Sequence, residues 1–544
     1  MGDMGDMNDM GGRCGNRIRL QLPDITERSI MTSPVEVELK LELPAAALRQ
    51  FRKLAWIRAL AGSAKRSSPV SVYFDTDKQK LRRRGITLRV RRSGDRYIQT
   101  IKATGHSGIV ARNEWESEIA DGQPDLAQAR GTALDDLLTD KFWRKLKPQF
   151  ETRVRRTVFP LERNGAMIEL SLDEGTIETG DASMRLCEIE LELKSGDKAD
   201  VFEAAWLMTR ALPLQLGLIS KSERGYRLRD GTQDAPLKFA GVTLTPDMSA
   251  RDAFRAIGYA CLQQIAGNEA ALCKDDAEGV HQMRVGLRRL RAAISLFSAL
   301  LDDAQTEAIK AELKWLTGEL GPARELDVLI ARVIKPVQRR TSGWDDIPKL
   351  SRQFARQRAA ALTRAREAVG SERYRLLKIE IAAWLEIGAW ATPQEDPKRE
   401  RGALPIEIFA AEQLALRRRK LRKRAKSFAE LDARRRHKLR IQAKKLRYAG
   451  DFFNDLFSGK RTSKRREIFL AALEAVQDGL GDLNDIAVHE NIISAAGRRR
   501  RRTSRKRAFA AGLLTGREDA RLDPAMKAAE SALVRFAKTK PYWK

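Results

Sequence analysis

Acidic and basic side chains alternate with aliphatic ones in short segments of the N-terminal half of the chain. Residues 36–40 read EVELK, and residues 188–194 read EIELELK. Side chains two residues apart share one face of a β-strand. Carboxylates in that arrangement can bind a hard divalent cation such as Mg²⁺ or Mn²⁺. Neighbouring Lys and Arg side chains can neutralise phosphate oxygens, so the pattern suits phosphoanhydride chemistry.

The same alternation recurs in six predicted strands of this half. Further charged positions that alternate with apolar ones are Arg89 and Arg91, Arg112, Glu114 and Glu116, Arg153 and Arg155, and Glu169 and Asp173. In a single strand this pattern indicates only a solvated sheet face. Its recurrence favours a closed barrel whose water-filled interior is lined by charge.

The elements that must position these residues divide the chain in two. Period-two runs with turn residues between them predict an antiparallel sheet over about residues 34–230, interrupted by short helices after Pro44 and around residues 200–212. Residues 231–247 read as a linker, and residues 248–540 as an all-α domain. The Gly/Asp/Met-rich residues 1–33 are expected to be disordered. The fold class is therefore α+β with two domains.

The basic excess is concentrated in the helical half. Residues 1–244 hold 40 Lys+Arg and 35 Asp+Glu, whereas residues 245–544 hold 62 and 38. This excess predicts a polyanionic partner. A hydrophobic fraction of 42% excludes global disorder. Four cysteines without a CxxC pair exclude a disulfide framework and a zinc cluster, and no signal peptide or membrane-length apolar stretch is present. A reduced, cytoplasmic protein without a membrane partner is expected.

An internal repeat with an offset of 156 residues marks the helical half. HQMRVGLRRLRAAISLFSALL from His281 aligns without gaps on HKLRIQAKKLRYAGDFFNDLF from His437, which predicts a duplicated amphipathic helix. Each copy carries a basic stripe, formed by His281, Arg284, Arg288 and Arg291 in the first and by His437, Arg440, Lys444 and Arg447 in the second. One such stripe would be an ordinary solvated face, but its duplication favours a shared anion-binding surface.

The strand half resembles the CYTH domain of the triphosphate tunnel metalloenzyme superfamily. Its segments follow the family's order: EVELK at 36–40, YFDT at 73–76, LRVR at 88–91, TIK at 100–102, RNEWE at 112–116, LDEG at 172–175 and KSERGY at 221–226. The resemblance implies an eight-stranded antiparallel tunnel that binds a linear triphosphate with Mg²⁺ or Mn²⁺.

The resemblance also implies roles for individual residues. The metal would be held by Glu36 and Glu38 together with one or more of Glu188, Glu190 and Glu192. Which of these three glutamates bind the metal stays open. The phosphates would be clamped by Lys40, Arg89, Arg91, Lys102, Arg112, Arg153 and Lys221. Asp173 or a late glutamate would orient the attacking water, so the implied catalytic set is Glu36, Glu38, Lys40 and Asp173. His106 is expected to be a turn residue.

The helical half resembles the CHAD domain. After the two copies of the repeat, residues 318–327 read GELGPARELD and residues 478–485 read DGLGDLND, with Asn484 where Arg324 stands in the first copy. The resemblance implies binding of inorganic polyphosphate along a basic groove between two four-helix halves. Two further runs, Arg417–Lys426 and Arg498–Arg507, each hold eight basic residues in ten and are expected to be solvated. No motif for specific nucleic-acid recognition is present.

Together these resemblances imply an inorganic triphosphatase that converts tripolyphosphate to pyrophosphate and phosphate, joined to a module that binds polyphosphate. A cytoplasmic location, at polyphosphate granules, would follow. The alternatives are a class IV adenylyl cyclase, another nucleoside or thiamine triphosphatase, or a non-catalytic protein that binds polyphosphate granules.

Overall fold

The computed structural model describes residues 36–103, 111–340, 346–392, 400–498 and 505–543. The side chains of Glu36 and Arg112 lie outside the described set, although their backbones are placed. His106 and most of the run Arg498–Arg507 lie outside the described residues. Residues 1–35, which include the segment 1–33 that was expected to be disordered, also lie outside the described residues.

Ten strands form one antiparallel sheet in the N-terminal half. They are β1 (Glu36–Glu42), β2 (Lys65–Ser67), β3 (Val70–Asp75), β4 (Ile86–Ser93), β5 (Arg96–Ala103), β6 (Ala111–Ile119), β7 (Lys147–Arg163), β8 (Ala166–Thr179), β9 (Ala182–Ser195) and β10 (Gln215–Leu216). Eight of them run in the order β1-β6-β5-β4-β3-β7-β8-β9, and pairing of β9 with β1 closes the ring. Strand β2 adds to β7 and β10 adds to β1. The predicted closed sheet is confirmed, with ten strands where eight were expected.

The register of this ring brings charged residues from distant segments together. Lys40 of β1 lies opposite Glu190 of β9. Lys102 of β5 lies opposite Glu114 of β6. Because alternate side chains share one face, each of these pairs projects into the same enclosed space.

Six helices accompany the sheet: α1 (Leu48–Lys53), α2 (Ala55–Leu60), α3 (Lys80–Arg83), α4 (Asp140–Trp143), α5 (Lys198–Ala211) and α6 (Lys221–Arg229). Helix α6 closes one end of the barrel, where Tyr226 and Leu228 form a buried cluster with Phe150 and Val154. A Cβ at Gly225 would lie 2.2 Å from the Phe150 ring, so only glycine permits this approach. The Ser220 hydroxyl caps the helix and fixes its first residue, Lys221, at the edge of the barrel interior.

The remaining residues form the helical domain. Its helices are α7 (Ala250–Ala266), α8 (Glu269–Cys273), α9 (Ala277–Leu296), α10 (Ala304–Leu329), α11 (Lys335–Arg340), α12 (Asp346–Gly370), α13 (Glu372–Ile387), α14 (Ile406–Ala425), α15 (Ala433–Phe452), α16 (Lys460–Arg498) and α17 (Arg505–Lys538). Helices α9 and α15 have 20 residues each and begin and end 156 residues apart. Asp276 and Asp432 cap them at equivalent positions. The repeat is therefore a structural duplication.

The two halves share one hydrophobic cluster. It runs from the outer face of the barrel, represented by Leu39 and Leu191, through Phe202 of α5 to Trp384 of α13. A polar contact accompanies it, because the buried Lys378 of α13 donates to the Gln215 side chain at 2.7 Å. The connecting segment is also fixed, since the Asn268 amide bonds both the N–H and the C=O of Leu237.

None of the helices in the described ranges combines the length and the apolar character needed to cross a bilayer.

Candidate functional site

The barrel interior encloses a cavity of about 460 Å³. Seven cationic and six carboxylate side chains line it, and the hydroxyls of four Ser and Thr residues contribute further polar groups. Balanced charge of both signs is unsuited to an apolar ligand. It suits an ionic ligand that replaces pre-existing ion pairs.

One wall of the cavity is tightly paired around Lys221. Its ammonium lies 2.6 Å from Asp173, 2.7 Å from Glu188 and 2.8 Å from Glu190. Burial opposes the positive charge, but Glu188, Glu190 and Asp173 raise the pKa of Lys221 well above its usual range. Lys221 therefore stays charged and holds three carboxylates together from β8 and β9.

Arg156 of β7 strengthens the same wall. It donates to both oxygens of Asp173 at 2.7 Å and also to Glu190. Burial opposes ionisation of Glu190, yet Lys221, Lys40 and Arg156 hold its pKa well below the usual carboxyl range. Lys40 completes this group with contacts of 2.7 Å to Glu190 and 3.1 Å to Glu38.

The opposite wall is more loosely paired. Arg89 lies 3.6 Å from Glu114 and 3.8 Å from Glu116, and its buried Nε has no hydrogen-bond partner among the described residues. Arg91 lies 3.9 Å from Glu116. Among the described side chains of this wall, the short ion pair is that of Lys102, at 2.7 Å from Glu114. The guanidinium groups of β4 are thus the cations best placed to accept a new anion.

The helical domain holds a second charged site where α9 packs against α15. Arg284 and Arg288 of α9 lie close enough to Arg440 and Lys444 of α15 to perturb their ionisation. Burial and then repulsion from Arg288 lower the pKa of Lys444 to about 6. The same two causes lower the pKa of Arg284 to about 10. We call these four residues the groove cluster.

Acidic residues equivalent in the two repeats border the groove cluster. Asp485 lies 3.9 Å from Arg440, and Glu325 acts electrostatically on Arg284. These contacts are long or indirect, so they only partly compensate the cations. Such an excess of half-buried positive charge is a feature of anion-binding sites.

The two repeated histidines have different surroundings. Nδ1 of His437 lies 2.7 Å from the side-chain oxygen of Asn484, so the ring donates from that nitrogen. His281 is half-buried, and burial followed by repulsion from Arg324 lowers its pKa to about 4. His281 is therefore neutral at neutral pH and offers the surface a hydrogen-bonding group without charge.

Two family models match the parts of the chain that contain these two sites. A model of the CYTH domain matches residues 34–226, and a model of the CHAD domain matches residues 256–494. The chain contains a CYTH domain followed by a CHAD domain. The cavity belongs to the CYTH domain, and the groove cluster belongs to the CHAD domain.

Individual relatives resemble parts of the chain. An inorganic triphosphatase from Haemophilus influenzae is 30% identical over 161 residues, which are 29% of this chain and 45% of that protein. The chain therefore spans less than half the length of this relative. The solved CHAD domain from the plant Ricinus communis is 30% identical, with a TM-score of 0.47 over 55% of this chain and 96% of that one. A Hippeastrum protein, described as a putative adenylyl cyclase with a dominant triphosphatase activity, is 19% identical, with a TM-score of 0.28 over 35% of this chain and 95% of that one.

The donor chemistry of the CYTH cavity fits a hard divalent cation such as Mg²⁺ or Mn²⁺. Glu38, Glu190 and Glu192 line the cavity from two adjacent strands, with Glu38 directly opposite Glu192. Carboxylate oxygens of Asp173, Glu188 and Glu190 also lie within 4.8 Å of one another. Lys221 contacts all three members of that buried set, so a metal ion there would compete with its ammonium. A metal ion bound to Glu38, Glu190 and Glu192 would also compete with ammonium groups, those of Lys40 and Lys194. All three of these carboxylates line the cavity, however, whereas Asp173 and Glu188 do not, so they are the better candidates.

The structure brings most of the predicted tunnel residues together. Those that line the cavity are Glu38, Lys40, Arg89, Arg91, Lys102, Glu190, Glu192 and Lys221. Asp173 and Glu188 lie buried behind it, in contact with Lys221. Glu36 of β1 lies opposite Arg112 of β6 in the backbone pairing of the two strands. The side chains of both residues lie outside the described set.

Arg153 is not brought to the cavity. Its side chain is 58% exposed and pairs with Glu151 and Glu178 on the outer face of the barrel. Arg156 provides the β7 cation in the interior. Sequence reasoning missed Arg156, although the adjacent pair Arg155-Arg156 placed a cation on each face of the strand.

The two predicted CHAD stripes are only partly assembled. Arg284, Arg288, Arg440 and Lys444 form the groove cluster, whereas Arg447 pairs with Asp451 at 3.1 Å and with Glu474 at 3.6 Å. Arg291, one turn further along α9, acts electrostatically on Lys445, which is not a member of the groove cluster.

Proposed function

We propose that the CYTH domain hydrolyses inorganic triphosphate to pyrophosphate and phosphate. The observation that carries this proposal is the unequal pairing of the two cavity walls. Arg89 and Arg91 face the cavity with long ion-pair distances, while carboxylates of β1 and β9 face it from the other side. Similarity to an inorganic triphosphatase over part of the chain supports this class of reaction.

The residues divide between charge neutralisation and positioning. Arg89, Arg91 and Lys102 would neutralise phosphate oxygens, with Lys40 on the opposite wall. Glu38, Glu190 and Glu192, with Glu36 as predicted, would hold Mg²⁺ or Mn²⁺, which when bound supplies Lewis-acid polarisation of the phosphate. Arg156 and Lys221 would keep Glu190 ionised and fixed.

The lining of the cavity favours inorganic triphosphate over a nucleotide. Tyr73 is the single aromatic side chain among the described residues that line it. A cyclase would also have to hold a ribose hydroxyl in line with the α-phosphorus. We therefore expect tripolyphosphate to be a better substrate than ATP.

Phosphate release from the purified full chain tests this proposal. Tripolyphosphate, ATP, thiamine triphosphate and long-chain polyphosphate would each be assayed with Mg²⁺ and with Mn²⁺. Glu38→Gln should lower tripolyphosphate turnover by orders of magnitude, whereas Glu118→Gln, at a position 62% exposed on the same sheet, should not. Arg91→Gln should weaken substrate binding, and Arg92→Gln, at an exposed position near the end of β4, is its control.

Two results would refute the triphosphatase proposal. The first is tripolyphosphate hydrolysis that survives Glu38→Gln at the parent rate. The second is cyclic AMP as the main product from ATP, which would identify a cyclase instead.

We further propose that the CHAD domain binds inorganic polyphosphate at the groove cluster, with His281 and His437 at its border. The support for this proposal is the excess of half-buried cations on two duplicated helices, which several phosphate groups would compensate. A cytoplasmic location at polyphosphate granules is part of this proposal.

Affinity of the full chain for long-chain polyphosphate, with duplex DNA as competitor, tests the second proposal. Arg288→Gln with Lys444→Gln should cause a much larger loss of affinity than Arg461→Gln with Lys464→Gln, which replaces the same two residue types at exposed positions of α16. Equal losses of affinity in the two variants would show that polyphosphate binds only by nonspecific electrostatic attraction. Displacement of polyphosphate by DNA at matched phosphate concentration would show the same.

A further inference from the structure

The basic run Arg417–Lys426 is not a uniformly solvated segment. It forms the C-terminal half of α14, and Arg417, at its start, is only 8% exposed. The Arg417 guanidinium donates to the backbone carbonyl of Ser295, near the end of α9, at 2.7 Å. Arg417 thus joins α14 to the first repeated helix, while Lys420 in the next turn is exposed.

Ser295 is the meeting point of three helices. Its hydroxyl accepts a hydrogen bond of 2.8 Å from Nζ of Lys445 on α15, while its carbonyl accepts from Arg417. Arg291, one turn earlier on α9, and Lys420 both act on the Lys445 ammonium. Four cations from three helices therefore converge beside one serine. We call Arg291, Arg417, Lys420 and Lys445 the Ser295 cluster.

The Ser295 cluster lacks compensating acid in the part of the chain that the structure describes. Within those ranges no carboxylate forms an ion pair with any of its four members, and the buried Nε of Arg417 has no hydrogen-bond partner. Burial, followed by Arg417, Arg291 and Lys420, lowers the pKa of Lys445. Nearby cations behave differently, because Arg289 and Arg447 both pair with Asp451.

Converging cations without a carboxylate cost folding free energy through repulsion and desolvation. A tetrahedral oxyanion supplies acceptors for several N–H donors at once and offsets both costs.

The Ser295 cluster continues the surface of the groove cluster. Arg284, Arg288, Arg291 and Ser295 follow one another on α9 at steps of four, three and four residues, which keeps them on one helix face. At a rise of about 1.5 Å per residue, Arg284 and Ser295 lie about 16 Å apart along the helix. One extended polyanion could therefore contact both clusters, whereas a short one reaches a single cluster.

We propose that the Ser295 cluster is a second phosphoryl-binding subsite, which takes phosphate groups of the same polyphosphate chain that occupies the groove cluster. The proposal rests on polyphosphate binding by the CHAD domain and adds a dependence on chain length. It also gives the run Arg417–Lys426 a function, because its first turn completes the subsite and its later exposed cations lie where a longer chain leaves the surface.

The experiment measures binding of long-chain polyphosphate and of tripolyphosphate to the full chain. The test variant carries Lys420→Gln and Lys445→Gln, and the matched control carries Lys460→Gln and Lys464→Gln at exposed positions of α16. Both leave the CYTH cavity unchanged, so its binding of tripolyphosphate cancels in the comparison. Circular dichroism and thermal unfolding establish that each variant folds. Lys420→Gln alone, at an exposed position, is the second test if the double variant does not fold.

The expected result is about a tenfold loss of affinity for long-chain polyphosphate in the test variant, with a shallower salt dependence. The control variant should lose much less, and the affinity for tripolyphosphate should be unchanged in both. Equal losses of affinity for long-chain polyphosphate in the test and control variants would contradict the proposal that the Ser295 cluster is a binding subsite. An equal loss of affinity for tripolyphosphate and for long-chain polyphosphate would contradict the proposal that one polyphosphate chain contacts both clusters. It would indicate a separate site for small anions. Failure of the unaltered protein to bind long-chain polyphosphate would overturn the proposed CHAD function itself, a result recognisable without any variant.

Discussion

Lys444 makes polyphosphate binding dependent on pH in a way that can be calculated. Arg288 and Arg440 repel its ammonium, Arg284 adds to the repulsion, and Asp485 is the carboxylate that opposes it. Burial is the largest cause, and together these effects lower the pKa of Lys444 to about 6. At pH 8 only about 1% of the unliganded protein would carry this proton.

Phosphate groups in the groove would restore the charge of Lys444. If the pKa in the complex returns towards its usual value near 10.5, the complex takes up nearly one proton per groove at pH 8. Affinity should then fall by up to about tenfold for each pH unit above 6. His281, with its pKa of about 4, can contribute to such linkage only at lower pH.

Isothermal titration calorimetry with long-chain polyphosphate at pH 7.5–9, in buffers of different ionisation enthalpy, measures this proton uptake. Lys444→Arg keeps a cation that remains charged over this range, so it should remove the share of the uptake that belongs to Lys444 and retain binding. The pKa of Lys445 in the Ser295 cluster is also lowered, by burial and then by Arg417, so any remaining uptake would come from that residue. Lys444→Gln should lose both. Proton uptake that is unchanged in Lys444→Arg would refute the assignment of the titrating group.

Three further predictions concern the barrel. Gly225→Ala forces a Cβ against the Phe150 ring and should lower stability by about 1–3 kcal/mol, whereas Gly62→Ala, with open space around it, should not; thermal unfolding compares them. Lys221→Met leaves three buried carboxylates without their shared ammonium and should cost about 3–5 kcal/mol, as measured by urea unfolding. This cost should shrink at acidic pH, where carboxylates become protonated, and a constant cost would contradict the charge argument. The folded-state pKa of Glu190 is depressed, so its stabilisation is complete above the usual carboxyl pKa and is lost as pH falls through the folded value. Glu190→Gln should therefore flatten the acid limb of the stability curve, and an unaltered limb would contradict this linkage.

Strand alternation was enough to place much of the tunnel. Lys40, Arg89 and Lys102 line one cavity because the two-residue period of a strand fixes the face of each side chain once the sheet closes. The closure itself joins β1 to β9, which are about 150 residues apart in sequence. The recurring charged strand faces favoured a closed barrel and the family resemblance implied an eight-stranded tunnel, but the local pattern did not identify these two strands as partners.

In strand β7 the alternation of residue types did not predict correctly which side chain faces the interior. The expectation that apolar residues of a strand face outward and charged ones inward placed Arg153 in the tunnel. At this end of the barrel α6 fills the interior, so Val154 packs inside against Tyr226 and Leu228. The inner face of β7 is therefore apolar at residue 154 and cationic at Arg156, which alternation alone does not reveal.

The helical stripes illustrate a different limit. Helical spacing correctly groups Arg284 with Arg288 on one face, but it treats all cations on that face as equivalent. Arg447 is held by Asp451 four residues later, a pairing that the sequence itself displayed. The contact of Arg417 with the end of α9 depends on tertiary packing between helices more than 100 residues apart and had no local signal.

The apolar cluster that continues from the barrel into the helices has a consequence for synthesis. The outer wall of the barrel and helix α5, with the half-buried Trp206, pack against α13. During translation the strands are complete by residue 216, but α13 ends only at Ile387. At ribosomal rates of about 5–20 residues per second, the barrel would wait roughly 10–30 s with this surface uncovered. Until α13 is synthesised, the nascent barrel would expose this apolar surface, so we expect the helical domain to limit aggregation of the barrel by covering it.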